Sequence, residues 1–232
     1  MKKISEREIS RQFLIESVED EAYTKLRILD FDDTIAETNE QVKLYTDNGR
    51  RYRMLSSDEF ATYKLQEDEY YDESSFYQFD DVNVDQASPV QQIVSILKNF
   101  VNAPGSRKIL ILTARNQKAE MGIRNFLRSI NVDDSRIDVV GVGNKDPIEK
   151  VKVIKSYIEN NPSIEFVSFY DDSGRNVKAV ANFLDKANIS KDTRQVIEDE
   201  DGETRLVKPE GVTESIDFRQ LVRRFLSGLE SP

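Results

Sequence analysis

The chain has 232 residues, 38% of them hydrophobic and 33% charged, which suits one globular domain with an insertion. Cysteine and histidine are both absent, which excludes disulfides, thiol and imidazole nucleophiles, Ser-His-Asp triads and the usual zinc ligands. Catalysis would fall to carboxylates, lysines and hydroxyls, any metal would need oxygen ligands as magnesium or calcium do, and a net charge of −10 argues against an extended duplex-binding surface.

In chain order, Ser5 and Glu8 form a capping box ahead of Ile9, Phe13, Leu14 and Val18, which predicts a helix over about 6 to 20. No apolar run approaches the roughly 18 to 20 residues of a membrane span, and the N-terminal stretch lacks the apolar core of a signal peptide. A soluble, cytoplasmic protein is expected. The first strand is "KLRILDF", ending in Asp30, Asp32 and Asp33. Residues 41–88 differ in character: nine of the chain's 21 Phe and Tyr residues and 11 acidic against five basic groups mark an aromatic, acidic insertion. Within it "VKLYTDNGRRYRML" predicts a hairpin around Asp47-Asn48-Gly49, followed by a short capped helix in "SSDEFATY". The aromatic residues read as the insertion's own small core rather than a base-stacking platform, and Arg50, Arg51 and Arg53 beside the turn either as contacts for a second anionic group or as a solvated turn.

"SPVQQIVSILKNFV" then predicts a helix capped by Ser88 with Pro89 in its first position and Val90, Ile93, Val94, Leu97 and Val101 on its buried stripe. After it come the strand "RKILILT", a helix over about 117–130, the strand "IDVVGV", a helix opening at Pro147, the strand "IEFVSFYD" and a helix over about 174–187. Short Val/Ile/Leu-rich strands alternating with amphipathic helices predict a Rossmann-like, doubly wound parallel α/β sheet, with the ligand crevice at the carboxyl ends of its strands. The tail predicts a hairpin turning near Asp201-Gly202 and a last helix over about 214–228. The expected organisation is an N-terminal helical extension over 1–24, a core domain over 25–189 carrying a small cap insertion at 41–88 after strand one, and a hairpin and helix over 190–232 completing the core.

The strand ends collect Asp30 and Asp32 from the first strand, Thr113 and Arg115 from the second, and Asp171 and Asp172 from the fourth, with Lys145 and Lys150 flanking the start of the preceding helix. Each has a plain structural use. Aspartate favours turns after strands and helix N-termini, Thr113 suits a strand end, and either lysine suits a solvated surface. Together and in order they resemble the haloacid dehalogenase superfamily: "DFDDT" matches its Asp-x-Asp-x-Thr signature, "ILILTAR" its strand ending in Thr or Ser, "NKDPIEKVK" its lysine, and "FYDDSGRN" its terminal acidic pair. The ensemble is most similar to small phosphatases of that superfamily encoded by large tailed bacteriophages, which would make the host cytoplasm the site of action.

The resemblance implies a phosphatase that cleaves phosphate monoesters. Asp30 would be the nucleophile that forms an aspartyl-phosphate, and Asp32 the general acid and base, a role best filled by a group titrating near the working pH. Mg2+ would be held by Asp30, the carbonyl of Asp32 and Asp172, while Thr113 and Lys150 bind the phosphoryl oxygens. Lys145 is the alternative to Lys150. Asp146 as N-cap and Pro147 in the first turn put Lys150 one turn into a helix and Lys145 in the loop before it. Arg115 and Asn176 are expected near the substrate: Asn176 in the hydrogen-bond network around the metal, Arg115 either on the substrate, as in relatives acting on nucleotides and polynucleotide ends, or in a structural ion pair. The partner would be a small phosphorylated substrate or a nucleic-acid end. Two other readings are an idle interaction or scaffold protein on the same fold, against which the intact Asp30 and Asp32 speak, and haloacid or phosphonate cleavage on Asp30, against which Asp32 speaks.

Overall fold

The computed structural model describes residues 23–208 except 57, 58, 60–62, 104 and 200, and the side chains of 76–79 are also outside the description. The helices expected over 6–20 and 214–228, and most of the one in "SSDEFATY", lie outside the described residues. Strand β1 (Lys25–Leu29) leads into the insertion, which holds β2 (Ala36–Glu37), β3 (Val42–Thr46), β4 (Arg51–Leu55), β5 (Tyr70–Tyr71), a 3-10 helix (Glu73–Asp80) and β6 (Ser88–Pro89). Then follow α1 (Gln91–Asn102), β7 (Arg107–Thr113), a 3-10 turn (Gln117–Ala119) running into α2 (Glu120–Ser129), β8 (Ile137–Gly141), α3 (Pro147–Asn160), β9 (Phe166–Asp171), α4 (Gly174–Lys186), β10 (Ser190–Glu198) and β11 (Thr204–Val207).

The main sheet has the order β11-β10-β9-β1-β7-β8. All its pairings are parallel except β10 with β11. Period-two alternation explains how both faces are buried. Leu26 and Ile28 of β1, Leu110 and Leu112 of β7, and Val167 and Phe169 of β9 pack under α3 and α4, through Val151, Ile154, Tyr157, Val177, Val180 and Leu184. Leu29, Ile109, Ile111, Ile137 and Val139 face the other way, against Ile93, Val94 and Leu97 of α1 and Ile123, Phe126 and Leu127 of α2. Since β1 leads on to β7 and β8 on one side while β9 and β10 lie on the other, the strand order reverses at β1, where such sheets open a crevice beyond the strand ends.

The cap is a separate small sheet in the order β4-β3-β5. Its turn places Asp47, Asn48 and Gly49 at positive φ of 53°, 52° and 84°, a conformation that Asp, Asn and Gly adopt with little strain. Val42, Leu44 and Leu55 form its core, with Tyr63 and Tyr71 packed on them. The expectation that the insertion's aromatics are core is only partly met. Tyr52 and Tyr70 are exposed, and they gather with Tyr45 on the opposite face, Tyr45 stacking on Tyr70 at 5.1 Å. Arg50 and Arg51 are exposed, whereas the Arg53 guanidinium lies 4.6 Å over the Tyr63 ring of the cap itself.

The start of α1 departs from expectation. Ser88 and Pro89 do not cap it; they pair antiparallel with Glu37 and Ala36, and the helix begins after Val90, which makes no side-chain cap. Proline lacks an N–H, which an edge strand tolerates as well as a first helical turn does. The ribbon β2–β6 closes the neck of the insertion, so both connections to the cap leave the core side by side. Among the described residues no helix is long and apolar enough to cross a membrane.

Candidate active site

The backbone N–H of Asp30 donates to the Tyr170 carbonyl at 2.9 Å, which carries the β1–β9 pairing one residue past β1 and sets Asp30 level with Asp171. Phe31 turns the opposite way and is fully buried, its ring edge-on to Phe126 at 5.5 Å. The Phe31 carbonyl accepts from Ile35 and Ala36 at 2.9 and 3.0 Å, closing a tight loop in which Asp33 takes a φ of 50°, a left-handed conformation that aspartate tolerates. Apolar anchoring of Phe31 and Ile35 thus holds Asp30 and Asp32 toward the crevice.

Lys150 lies one turn into α3, whose start is fixed by Pro147 and by the Asp146 carboxylate accepting from the Ile148 N–H at 3.0 Å. Its side chain is 2% exposed, with Nζ 2.9 Å from Asp30 Oδ1 and 2.8 Å from Asp171 Oδ2. Burial disfavours the ammonium, but Asp171 and Asp30 hold its pKa above the usual lysine value. Asp171 is fully buried and also accepts from the Asn176 amide at 3.0 and 3.1 Å and from the Ser173 N–H at 2.9 Å. Lys145 is exposed on the loop before α3, its ammonium 6.0 Å from the Tyr71 ring of the cap.

Asp172 engages its backbone on both sides: its N–H donates to Thr34 Oγ1 at 3.0 Å and its carbonyl accepts from the Gln195 amide at 2.9 Å. The buried Thr34 hydroxyl therefore ties the loop after β1 to the loop after β9. Asp30, Asp171 and Asp172 each bring a carboxylate oxygen within 4.8 Å of the others. Burial pushes the Asp30 carboxyl up to about 7, with Lys150 pulling it down and Asp171 and Asp32 adding to the rise. Burial, then Asp171 and Asp30, push Asp172 up to about 9. Asp30 Oδ1 is buried and accepts no aligned hydrogen bond. Three carboxylates sharing the Lys150 ammonium leave surplus negative charge, and an all-oxygen donor set of this kind fits a hard divalent cation such as magnesium.

Asp32 sits apart from that cluster. Its carboxylate accepts from Arg115 Nε at 3.0 Å on each oxygen, from Arg115 NH2 at 2.7 Å and from Thr38 Oγ1 at 2.9 Å, and Thr113 Oγ1 donates to it at a long 3.4 Å. Thr113, 1% exposed, also accepts from the Arg115 N–H at 3.1 Å. Arg115 and Asn176 both contact acidic residues of the site. Arg115 is buried in an ion pair with Asp32 and Glu40, and the Asn176 amide is held by Asp171. The carboxylate cluster likewise contains Asp171 where the expected metal set had Asp32, of which the carbonyl was the expected ligand. Thr34, Glu40, Asp81 and Gln195 also shape the site. Only Thr34 carried a sequence signal, as the last residue of the Asp-x-Asp-x-Thr signature.

The parallel order β10-β9-β1-β7-β8, with an acidic loop after β1, a hydroxyl ending β7, a lysine in the helix before β9, an acidic pair at its end and a small sheet inserted after β1, is a Rossmann-like, doubly wound α/β fold that carries the four sequence motifs at its strand ends. No protein-family model and no curated protein sequence matches the chain. Among solved structures, the chain is similar to the HAD domain of the effector protein Lem4 from Legionella pneumophila, with a TM-score of 0.45 and 15% identity over 90% of this chain and 98% of that one. An inactive mutant of that domain gives 0.44 and 14% over 90% and 95%. A chain in the Pnkp1/Rnl/Hen1 RNA repair complex gives 0.41 and 17% over 75% of this chain and 43% of that one. The assignment of the fold rests on the strand order and on the placement of the polar residues along it.

Proposed function

We propose that the protein is a magnesium-dependent phosphohydrolase that cleaves phosphate monoesters through an aspartyl-phosphate on Asp30. The observation that carries this reading is Lys150, buried between Asp30 and Asp171 at 2.9 and 2.8 Å where β1 and β9 end. A buried ammonium against a buried carboxylate that also faces the crevice is the pairing needed to bind a phosphoryl group beside its nucleophile. In this reading a carboxylate oxygen of Asp30 attacks phosphorus as the bond from phosphorus to the ester oxygen breaks. Asp32 would enter the cycle protonated on Oδ2, give that proton to the departing oxygen, and regain one from the water that attacks the phosphoryl-aspartate, leaving an alcohol and inorganic phosphate. Lys150 and Thr113 hold the non-bridging oxygens. Asp30, Asp172 and the Asp32 carbonyl would hold the magnesium ion, with Asp171 orienting Lys150 and Asn176 orienting Asp171. When bound, that ion would draw charge from the phosphoryl oxygens and let anion meet anion.

The domain division follows from the same reading: a catalytic core over 25–189, a cap over 41–88 that overhangs the crevice and selects among substrates, and β10 and β11 extending the core sheet beyond 189. The substrate proposed is a small phosphate ester or a phosphorylated nucleic-acid end, supported by the net charge of −10, which disfavours long duplex contacts. The test is hydrolysis of an aryl phosphate, nucleotides, sugar phosphates and 3'-phosphorylated oligonucleotides. Turnover should require magnesium, be competed by calcium with its looser coordination, and vanish in Asp30→Asn while the circular dichroism spectrum is unchanged. Undiminished turnover in excess chelator, or in Asp30→Asn, would contradict the reading.

A further inference from the structure

We propose that Arg115 is the positioning residue of the acid/base carboxylate and joins Asp32 to both connections of the cap; this rests on the phosphohydrolase reading above. Arg115 lies two residues beyond β7 and is 3% exposed. Its Nε and NH2 fork the Asp32 carboxylate at 3.0 and 2.7 Å, a planar two-point grip that fixes where the carboxylate points as well as how far away it is. The remaining contacts lead elsewhere. NH1 donates to the Asp81 carbonyl at 2.6 Å, and NH2 lies 3.1 Å from Glu40 Oε1. Glu40 is on the outgoing connection to β3, and Asp81 directly follows the 3-10 helix (Glu73–Asp80) on the way back. The guanidinium also lies 5.7 Å over the ring of Phe31, the residue between the two site aspartates.

One side chain therefore reads the position of both cap connections and of Asp32 at once. Only a guanidinium presents donors in several fixed directions, so a lysine at this position could not hold all three acceptors. A general acid must carry its proton within hydrogen-bond reach of the ester oxygen; Asp32 would take that proton on Oδ2, which outside the Arg115 grip meets only the long Thr113 contact, and so presents it only where Arg115 allows. A shift of either connection moves the guanidinium and Asp32 with it. The arginine acts on proton transfer to the leaving group and does not bind the phosphoryl group itself.

Leaving groups separate this role from a structural one. In the first step the bond from Asp30 to phosphorus forms, the bond from phosphorus to the ester oxygen breaks, and the Asp32 proton goes to that oxygen. Dinitrophenolate departs as a stable anion and scarcely needs the proton; an alkoxide needs it. We would compare kcat/KM, which reports this first step, for 2,4-dinitrophenyl phosphate and for an alkyl phosphate with magnesium, using full-length wild type, Arg115→Lys and Glu40→Gln. The expected result is hydrolysis of both esters by wild type and a loss of about a hundredfold on the alkyl ester in Arg115→Lys, with the dinitrophenyl ester little changed. Glu40→Gln, which keeps shape and so carries the test if Arg115→Lys does not fold, should show the same pattern to a smaller degree. In an Asp32→Asn background, Arg115→Lys should add no further loss on the alkyl ester. Equal losses on both esters, or losses that add in the Asp32→Asn background, would overturn the proposal while leaving the phosphohydrolase reading intact. A wild type that hydrolyses neither ester would overturn that reading and this one together.

Discussion

Lys150 opposes two buried aspartates at once, so its removal leaves both without their shared cation. Lys150→Ala should lower turnover by two or more orders of magnitude, since removing a preorganised charge from the transition state costs about 3 kcal/mol. Lys145→Ala, on the exposed loop facing Tyr71, should cost less than about tenfold by the same reasoning. Steady-state kinetics on one ester checks both, and the reverse ranking would move the phosphate-binding role to Lys145. This much could be reached from local signals, because Asp146 and Pro147 fix the first turn of α3 and so the depth at which Lys150 sits. The contact of Asn176 with Asp171, five residues back, is of the same local kind. The choice between the two places for Arg115 could not be made this way, because its partner Asp32, at 83 residues' separation, depends on how the strands are ordered, and short-range pattern carries no record of that. Glu40 and Asp81 were hidden for the same reason, being ordinary acidic residues in an acidic insertion until the fold brings both to one guanidinium.

The elements that read cleanly were those whose apolar period and end signals agreed, such as β7, α3 and the β3–β4 turn. The start of α1 misled because Ser88-Pro89 suits a helix N-terminus and an edge strand equally well, and the nonlocal pairing with Ala36 and Glu37 decides between them. The same neck yields a prediction at Gly122 of α2. A Cβ there would meet the Asp81 carboxylate and come within 2.5 Å of the Val82 backbone nitrogen, so the returning cap connection packs directly on the helix. Gly122→Ala should destabilise the protein by about 1–3 kcal/mol through overpacking. Because the Asp81 carbonyl receives Arg115, it should also lower turnover of poor leaving groups. Thermal unfolding with kinetics on the same preparation tests this; unchanged stability would mean that the connection is free to move aside.

Across the whole molecule, the charge gathered at the strand ends links stability to pH and to cation. Folding raises Asp30 from 3.8 to about 7 and Asp172 from 3.8 to about 9. Between about pH 4 and pH 9 the native state then binds more protons than the unfolded chain, so these groups lower stability as pH rises through that window. In chelator the melting temperature should therefore be lower at pH 8.5 than at pH 5.5. Magnesium at matched ionic strength should raise it more at the higher pH, where it meets ionised carboxylates. A melting temperature that climbs with pH in chelator, or equal shifts by magnesium at both values, would contradict this account. The sheet class was readable from the alternation of strands and helices. The surplus of carboxylates over ammonium at one point was not, because it depends on how deeply Asp171 and Asp172 are covered.

The central claim is a covalent phosphoryl group on Asp30, and trapping it is the direct measurement. The enzyme turning over an ester in magnesium is quenched in acid, reduced with borohydride and digested. An aspartyl-phosphate at residue 30 should appear as homoserine in the peptide spanning Lys25 to Thr34, and should be absent when substrate is omitted. Turnover with residue 30 unmodified, or with the modification at Asp32 or Asp172, would contradict the account.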